Sequence, residues 1–272
     1  MELHEPIPAI DVHGHFGTYV RRGDLSDGFS TGDAAEVVRR ASESHIVLTF
    51  VSPLSALLPR FQADAVAGNI EAARIVADLP ALRQYVVIDP RREETYTQAR
   101  EMLKQPWCVG IKIHPEEHGY PIRDHAREIF DFAAEHRAIV LTHSSEQNSL
   151  AADFVPWANE FPEVRLVLAH IGCGWDGDVT HQVRAIQQSR HRNLYADTSS
   201  AKSITPGLIE WAVREVGDDR VLFGTDTPLY HAAMQRARID HAELSERAKR
   251  KILFENACQL FGIDEDSIDP RP

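Results

Sequence analysis

The chain has 272 residues, of which 43% are hydrophobic and 26% charged, and its formal net charge is -12 at pH 7. This acidic balance disfavours nucleic acids and anionic membranes as partners, and the longest apolar runs are far too short to span a membrane. The three cysteines lack zinc-finger spacing, which indicates reduced thiols rather than a disulfide framework.

The first residues lack the basic start and apolar stretch of a secretion signal, so we expect a cytoplasmic protein. The length suits either one α/β barrel or two ordinary domains. Because no low-complexity linker divides the chain, we predict a single domain over residues 1–272. The expected partner is a small-molecule substrate, and the sequence leaves a homo-oligomer open.

Eight short runs rich in valine, isoleucine and leucine alternate with longer segments of helical period, which is typical of repeated βα units. The predicted strands cover residues 7–12, 46–51, 85–88, 109–113, 139–142, 164–169, 193–196 and 221–224. The predicted helices cover residues 33–44, 64–79, 93–103, 124–136, 150–161, 178–189, 206–216 and 245–254.

Near-continuous apolar strands favour a parallel sheet covered by helices, and eight right-handed crossovers can close it into a (β/α)8 TIM barrel. An open doubly wound sheet is the alternative architecture. The chain has no Gly-x-Gly-x-x-Gly fingerprint after its first strand and no Walker loop. The commonest nucleotide-binding functions of an open sheet are therefore excluded.

The first predicted strand runs into two alternating histidines, His13 and His15. Alternate residues of a strand project to the same side, so the two imidazoles lie next to each other. Neutral imidazole suits zinc and neighbouring metals, but the other ligands must come from distant parts of the chain. In a sequence with 14 histidines the pair alone could also be accidental.

Polar side chains that could bind or act on a ligand stand at the ends of six predicted strands. In a closed parallel barrel these positions meet at the C-terminal face, where barrel enzymes place their chemistry. The residues are His13 and His15 after strand one, Lys112 and His114 at strand four, His143 after strand five, His170 after strand six, Asp197 after strand seven and Asp226 after strand eight.

Seven stretches that follow one another along the chain carry a family resemblance. They are DVHGH at 11–15, GIKIHP at 110–115, LTH at 141–143, LAHIG at 168–172, LYADTS at 194–199, VLFGTD at 221–226 and ENA at 255–257. With this ordered set the chain resembles the amidohydrolase superfamily, and within it the branch called amidohydrolase family 2.

The resemblance implies a metal site and a catalytic histidine. In that family the His-x-His pair, the strand-five histidine and the strand-eight aspartate hold a divalent metal, usually zinc, and the strand-six histidine assists catalysis. Carried over position by position, the metal ligands are His13, His15, His143 and Asp226, with His170 beside them. One Zn²⁺ is expected, or two ions if a lysine is carboxylated to bridge them.

Three imidazoles and a carboxylate leave an open coordination position for water, whose pKa zinc lowers to about 7. Asp226 could accept the proton of this water, and His170 could orient the water or polarise a substrate carbonyl. Asp226 and His170 are therefore the predicted catalytic residues. His143 could instead cap a loop, and His170 could be a hydrogen-bonded core histidine.

Lys112 and His114 alternate along strand four, so they share one face and are predicted to bind substrate. Lys112 could bind a substrate carboxylate as a point charge, carry a bridging carbamate, or form a buried ion pair. Asp197 either fixes an imidazole tautomer beside the metal or serves as a turn residue. Arg21 lies in a glycine-rich loop that is either solvated or closes over substrate.

The leading functional hypothesis is a metal-dependent hydrolase that cleaves an amide, ester or lactone of a small molecule. The alternative is a metal-dependent decarboxylase or hydratase of an aromatic or unsaturated carboxylic acid, because the family contains both on nearly the same ligands. Arginines beside a hydrophobic slot would favour the decarboxylase. A non-catalytic barrel is the third class. The loops after strands two and three look too brief to build a cap.

Overall fold

In the computed structural model, which describes residues 6–268, eight parallel strands pair with their neighbours in chain order. Each strand is short and almost completely buried, as parallel strands covered by helices must be. The strands are β1 (Ala9–Phe16), β2 (Ile46–Pro53), β3 (Leu82–Val87), β4 (Cys108–Ile113), β5 (Val140–Thr142), β6 (Leu166–Leu168), β7 (Leu194–Asp197) and β8 (Val221–Leu222).

Backbone hydrogen bonds between β1 and the segment that follows β8 close the sheet. The Val12 amide donates to the Phe223 carbonyl at 2.9 Å, and the Asp226 amide donates to the His13 carbonyl at 2.7 Å. An isolated parallel bridge joins Gly14 to Thr227. The chain therefore forms a single-domain (β/α)8 TIM barrel, which confirms the predicted fold class and excludes the open sheet.

Helices cover the outside of the barrel. They are α1 (Leu25–Phe29), α2 (Ala34–Ser42), α3 (Ala65–Ala77), α4 (Glu93–Met102), α5 (Pro115–His118), α6 (Ile122–His136), α7 (Ala151–Glu160), α8 (His181–Gln188), α9 (Leu208–Val216), α10 (Ala232–Asp240), α11 (Glu246–Arg250) and α12 (Asn256–Phe261). A π-helical segment, Lys251–Glu255, connects the last two.

The predicted helices are all present, but three features differ from the prediction. The helix predicted at 245–254 continues through the π-helical segment to Phe261, since nothing in the sequence breaks it there. Helices α1 and α5 were not predicted because one turn is too short to show a period. Helix α10 was missed because it buries the polar Gln235 and Arg236 together with Ile239, which hides the apolar stripe.

The ends of the elements follow local chemistry. Asp33 and Asp64 cap helices α2 and α3, and each side chain accepts a hydrogen bond from a backbone amide of the first turn. Strand β1 begins and ends later than predicted, so that both His13 and His15 lie within it. Strand β8 is shorter than predicted, and Asp226 lies four residues beyond its end.

Strand side chains alternate between two apolar clusters. Val140 and Leu166 belong to the cluster that contains residues of the surrounding helices. Leu141 and Val167, their sequence neighbours, belong to a second cluster that also contains Leu260 of α12. The C-terminal helix therefore packs on the inner core, and the opposite end of the barrel carries the polar strand ends.

Between residues 6 and 268, no helix combines the length and apolar character needed to cross a membrane.

Gly110 in β4 permits a close approach to the next strand and gives a test of the packing. A Cβ atom at this position would lie 2.3 Å from the Ile139 carbonyl oxygen, which accepts the Ile111 amide at 2.9 Å. We expect Gly110→Ala to lower the free energy of unfolding by about 2 kcal/mol or more, because the added methyl group would overlap the Ile139 carbonyl and push the two strands apart.

Urea unfolding measures this loss. Gly28→Ala is the matched control, since no heavy atom lies within 4 Å of a Cβ atom at Gly28 in α1. Equal stability of the two variants would contradict the assigned packing of β4 against β5.

Candidate active site

The ends of the strands enclose a cavity of about 390 Å³. Each predicted metal-binding, catalytic and substrate-binding side chain lines it, although they come from five different strands or the loops after them. They are His13, His15, Lys112, His114, His143, His170 and Asp226. Asp197 lies behind this wall and is fully buried.

Asp197 orients the imidazole of His13. The Nδ1 atom of His13 lies 2.9 Å from Asp197 Oδ2. Because a carboxylate accepts, Nδ1 carries the proton and the lone pair of a neutral ring is on Nε2, which faces the cavity. Two roles were predicted for Asp197, fixing an imidazole tautomer or serving as a turn residue. The contact with His13 favours the first.

His15 and Asp226 lie in direct contact. His15 Nδ1 lies 2.9 Å from the Ser52 carbonyl oxygen, which can only accept, so Nδ1 carries a proton and Nε2 is the ring nitrogen available to a metal. This Nε2 lies 3.0 Å from Asp226 Oδ1, which is also 3.6 Å from His13 Nε2. Three atoms that can act as metal ligands therefore converge.

This set of donor atoms fits a divalent metal. One ligand atom each from His13, His15 and Asp226 lies within 4.8 Å of the others, and all three residues are buried. Two imidazoles and a carboxylate suit zinc, manganese and related ions.

Lys112 places a positive charge directly against the cluster. Its Nζ atom lies 2.9 Å from His13 Nε2, and the side chain is almost completely buried. This contact makes Lys112 a cationic neighbour of the imidazoles.

Burial governs the ionisation of the cluster. Burial, together with the nearby Lys112 ammonium, lowers the pKa of His13 to about 4, so this ring is neutral at pH 7. Burial also lowers the pKa of Lys112 to about 8, although the neighbouring carboxylates oppose this shift. For Asp226, burial opposes ionisation, but the contact with His15 and the nearby imidazoles outweigh it and lower the pKa to about 2.

His170 and Asp226 both adopt left-handed backbone conformations, with φ of 72° and 58°. Such conformations are unfavourable for residues other than glycine and persist only where surrounding bonds stabilise them. The His170 amide donates to Asp197 Oδ1 at 2.9 Å, and the Asp226 amide donates to the carbonyl of His13. These turns direct both side chains into the cavity.

Ser199 links the two imidazoles nearest to it. Its Oγ lies 3.0 Å from His13 Nδ1 and 2.8 Å from His170 Nδ1. It also contacts the Asp197 carboxylate, which accepts from its hydroxyl. Ser199 and Ser52 were missed as site residues in the sequence, although both stand at strand ends, the signal that located the histidines.

His143 stands beside the cluster rather than in it. Its Nδ1 lies 3.1 Å from His170 Nε2, and its ring stacks on that of His114 with 4.3 Å between centroids. It does not join His13, His15 and Asp226 in the group of ligand atoms within 4.8 Å of one another. Its Nε2 is buried without a hydrogen-bond partner in the described residues and lies 3.6 Å from Glu146.

The loop after β2 forms the wall of the cavity. Leu54, Leu57 and Leu58 make an apolar slot, and Arg60 stands beside it with Arg21 from the loop after β1. This loop was expected to be too brief to build a cap, and the structure shows that it supplies part of the cavity wall. The eleven residues from Leu54 to Asp64 include a short 3-10 turn that turns these leucines inwards.

Comparison with protein families identifies one match, an amidohydrolase model that covers residues 10–263. Among characterised proteins, a gamma-resorcylate decarboxylase of a Polaromonas species is 28% identical over 121 residues. That alignment covers 39% of this chain and 36% of the relative, so the chain matches about a third of the relative's length.

Two solved structures share the fold over almost their whole length. A 5-carboxyvanillate decarboxylase from Sphingomonas paucimobilis superimposes with a TM-score of 0.73 at 14% identity, over 95% of this chain and 100% of the other. The other is a dihydroxybenzoic acid decarboxylase from a Polaromonas species, with bound manganese and 2-nitroresorcinol. It superimposes with a TM-score of 0.70 at 17% identity, over 94% of this chain and 97% of the other.

The contact between Asp197 and His13 predicts a metal-affinity effect at a residue that is not itself a ligand. We expect Asp197→Asn to weaken divalent metal binding roughly 10- to 100-fold, because the His13 ring loses its fixed tautomer. Calorimetric titration with Mn²⁺ and Zn²⁺ measures the change. Asp176→Asn removes a similar contact with His181 at the surface and should leave the affinity unaltered; a loss in both variants would contradict this role.

The contributions of His15 and His143 to metal binding can be separated by experiment. The geometry predicts that His15→Ala abolishes metal binding, whereas His143→Ala weakens it less, since only His15 belongs to the group of three. Elemental analysis of the purified variants after dialysis is the measurement. Equal metal loss in both variants would instead favour the four-ligand set that the family resemblance implies.

Proposed function

Because this chain belongs to the amidohydrolase family, we propose that it is a metal-dependent decarboxylase of an aromatic carboxylic acid. The observation that carries the proposal is the cavity wall, where Arg21 and Arg60 stand beside the slot of Leu54, Leu57 and Leu58. An apolar slot suits a ring, and the buried ammonium group of Lys112 attracts its acid group. The decarboxylase activity of the relative that aligns with this chain supports the same choice.

The carboxylate end of the substrate is assigned to the inner part of the cavity. Lys112 provides an ammonium group there, buried beside His13 and therefore weakly screened by water. His114 lines the same region and is neutral, since burial, with the nearby His143, lowers its pKa well below the ordinary value. Both residues keep the substrate-binding role predicted from the sequence.

The metal is assigned to His13, His15 and Asp226, with His143 as the fourth ligand that the resemblance implies. When bound, a divalent ion would polarise the acid group and neutralise its charge. Manganese in a structural neighbour supports Mn²⁺ as the first ion to test, and Zn²⁺ stays the prediction from the sequence. A second equivalent would favour the carboxylated form of Lys112.

Decarboxylation replaces the carboxylate of the ring by a proton, so the reaction ArCOO⁻ + H⁺ → ArH + CO₂ consumes one proton. The group that delivers it must face the ring carbon inside the cavity. Asp226 is assigned this role, because its carboxylate lines the cavity and can take up and release a proton there. His170, held by Ser199, is assigned to orient the substrate.

Hydrolysis of an amide, ester or lactone, the leading hypothesis from the sequence alone, is less well supported. It requires space for an attacking water near the acyl group, whereas the wall beside the imidazoles is partly apolar. The same residues could still activate water, so the two reactions are separated by substrate and not by the fold.

The test is CO₂ release from a panel of benzoic acids by the Mn²⁺-loaded protein. We expect turnover that chelation abolishes and added metal restores, and Asp226→Asn should lower kcat at least about 100-fold because it removes the proton carrier. Asp240→Asn, at the surface in α10, is the control. Turnover of esters or lactones but of no carboxylic acid would overturn the decarboxylase proposal.

A further inference from the structure

The hydroxyl group of Ser199 lies at the centre of a buried hydrogen-bond chain. Ser199 follows two residues after the end of β7 and is completely buried, so water does not compete for its bonds. Its proton goes to the Asp197 carboxylate, because a carboxylate can only accept and the two oxygens are too close to face each other without a proton. The lone pairs of Ser199 Oγ are then left to accept from the nearby imidazoles.

The direction of these bonds fixes the position of the proton on His170. Because Ser199 Oγ accepts at 2.8 Å, His170 Nδ1 must carry a proton. The His170 side chain is only 7% exposed, and burial favours the neutral imidazole, which has a single N–H. The Nε2 atom of His170 therefore has a lone pair and can only accept.

The chain continues from His170 to His143. The Nδ1 atom of His143 lies 3.1 Å from His170 Nε2, so this nitrogen must donate the proton of the bond. In the neutral His143 ring Nε2 then has no proton, and this atom is buried without a hydrogen-bond partner in the described residues. The 3.6 Å that separate it from Glu146 Oε1 are too long for a hydrogen bond.

We propose that Ser199 is a positioning residue that fixes the tautomers of His170 and His143 in series, and thereby keeps His143 Nε2 unprotonated and available to a metal. Without the hydroxyl group, His170 loses the acceptor of its Nδ1 proton. The proton can then reside on Nε2, donate to His143 Nδ1 and leave the His143 proton on Nε2. This role of Ser199 does not depend on the reaction that the site catalyses.

Nuclear magnetic resonance of the metal-free full chain, labelled with ¹⁵N-histidine, shows which ring nitrogen carries the proton at pH 7. The signals of the two rings are identified by their loss in His143→Gln and His170→Gln. We expect the proton on Nδ1 of both rings in wild type and on Nε2 of both rings in Ser199→Ala. Ser199→Thr keeps the hydroxyl group and should retain the wild-type tautomers.

Ser203→Ala is the matched control, because Ser203 is also completely buried and its partners, the Ser200 carbonyl and Gln235, are not imidazoles. This variant should keep the wild-type tautomers. A proton on His143 Nε2 in wild type, or unchanged tautomers in Ser199→Ala, would overturn the proposal. The wild-type spectrum alone can give the first of these results, so the test does not require that Ser199→Ala folds.

Calorimetric titration with Mn²⁺ tests the link to the metal. We expect Ser199→Ala to weaken Mn²⁺ binding about 10-fold. The loss should be clearly smaller in the His143→Ala background, since both substitutions act on the same ligand atom. Equal losses in the two backgrounds would assign the effect to His13, the other imidazole that Ser199 contacts, and would overturn the link between Ser199 and His143.

Neither measurement uses a substrate, so the two proposals can fail separately. If the protein decarboxylates no acid but the tautomers change as expected, the role of Ser199 stands and the proposed function is rejected. If acids are decarboxylated but the tautomers do not depend on Ser199, the reaction stands and the role of Ser199 is rejected.

Discussion

The closure of the barrel between β1 and the segment after β8 is the contact on which the site depends. The hydrogen bond from the Asp226 amide to the His13 carbonyl is one of the backbone contacts that hold the aspartate beside the paired imidazoles. Asp11 supports the same junction, because its carboxylate accepts from the backbone amides of His13 and Thr225. Burial raises the pKa of Asp11 to about 7, so its carboxylate depends on these bonds.

In the interior of the cavity, hydrogen bonds to the imidazoles determine which ring nitrogens are left free. Asp197 and the Ser52 carbonyl each take the Nδ1 proton of one imidazole, which turns both Nε2 lone pairs towards Asp226. Lys112 Nζ lies 2.9 Å from His13 Nε2, which carries one of these lone pairs. A divalent cation bound among the three atoms would take both lone pairs and the carboxylate as ligands.

The charged groups at the mouth of the cavity are arranged differently from those in its interior. At the mouth two arginines stand with two glutamates beside the leucine slot, so their opposite charges offset each other. In the interior the ammonium group of Lys112 lies against the imidazole of His13.

The sequence by itself determined the alternation of strands and helices and the polar residues at the strand ends, because both are periodic or local features. From them follow the barrel and the polar side chains at the ends of its strands, including His13, His15 and Asp226. Only the tertiary structure decided that Asp197 and Ser199 contact the imidazoles, and that His143 stacks on His114. It also brought Arg60 and Glu117 together, since side-chain direction and loop path depend on contacts between segments far apart in the chain, which no local pattern records.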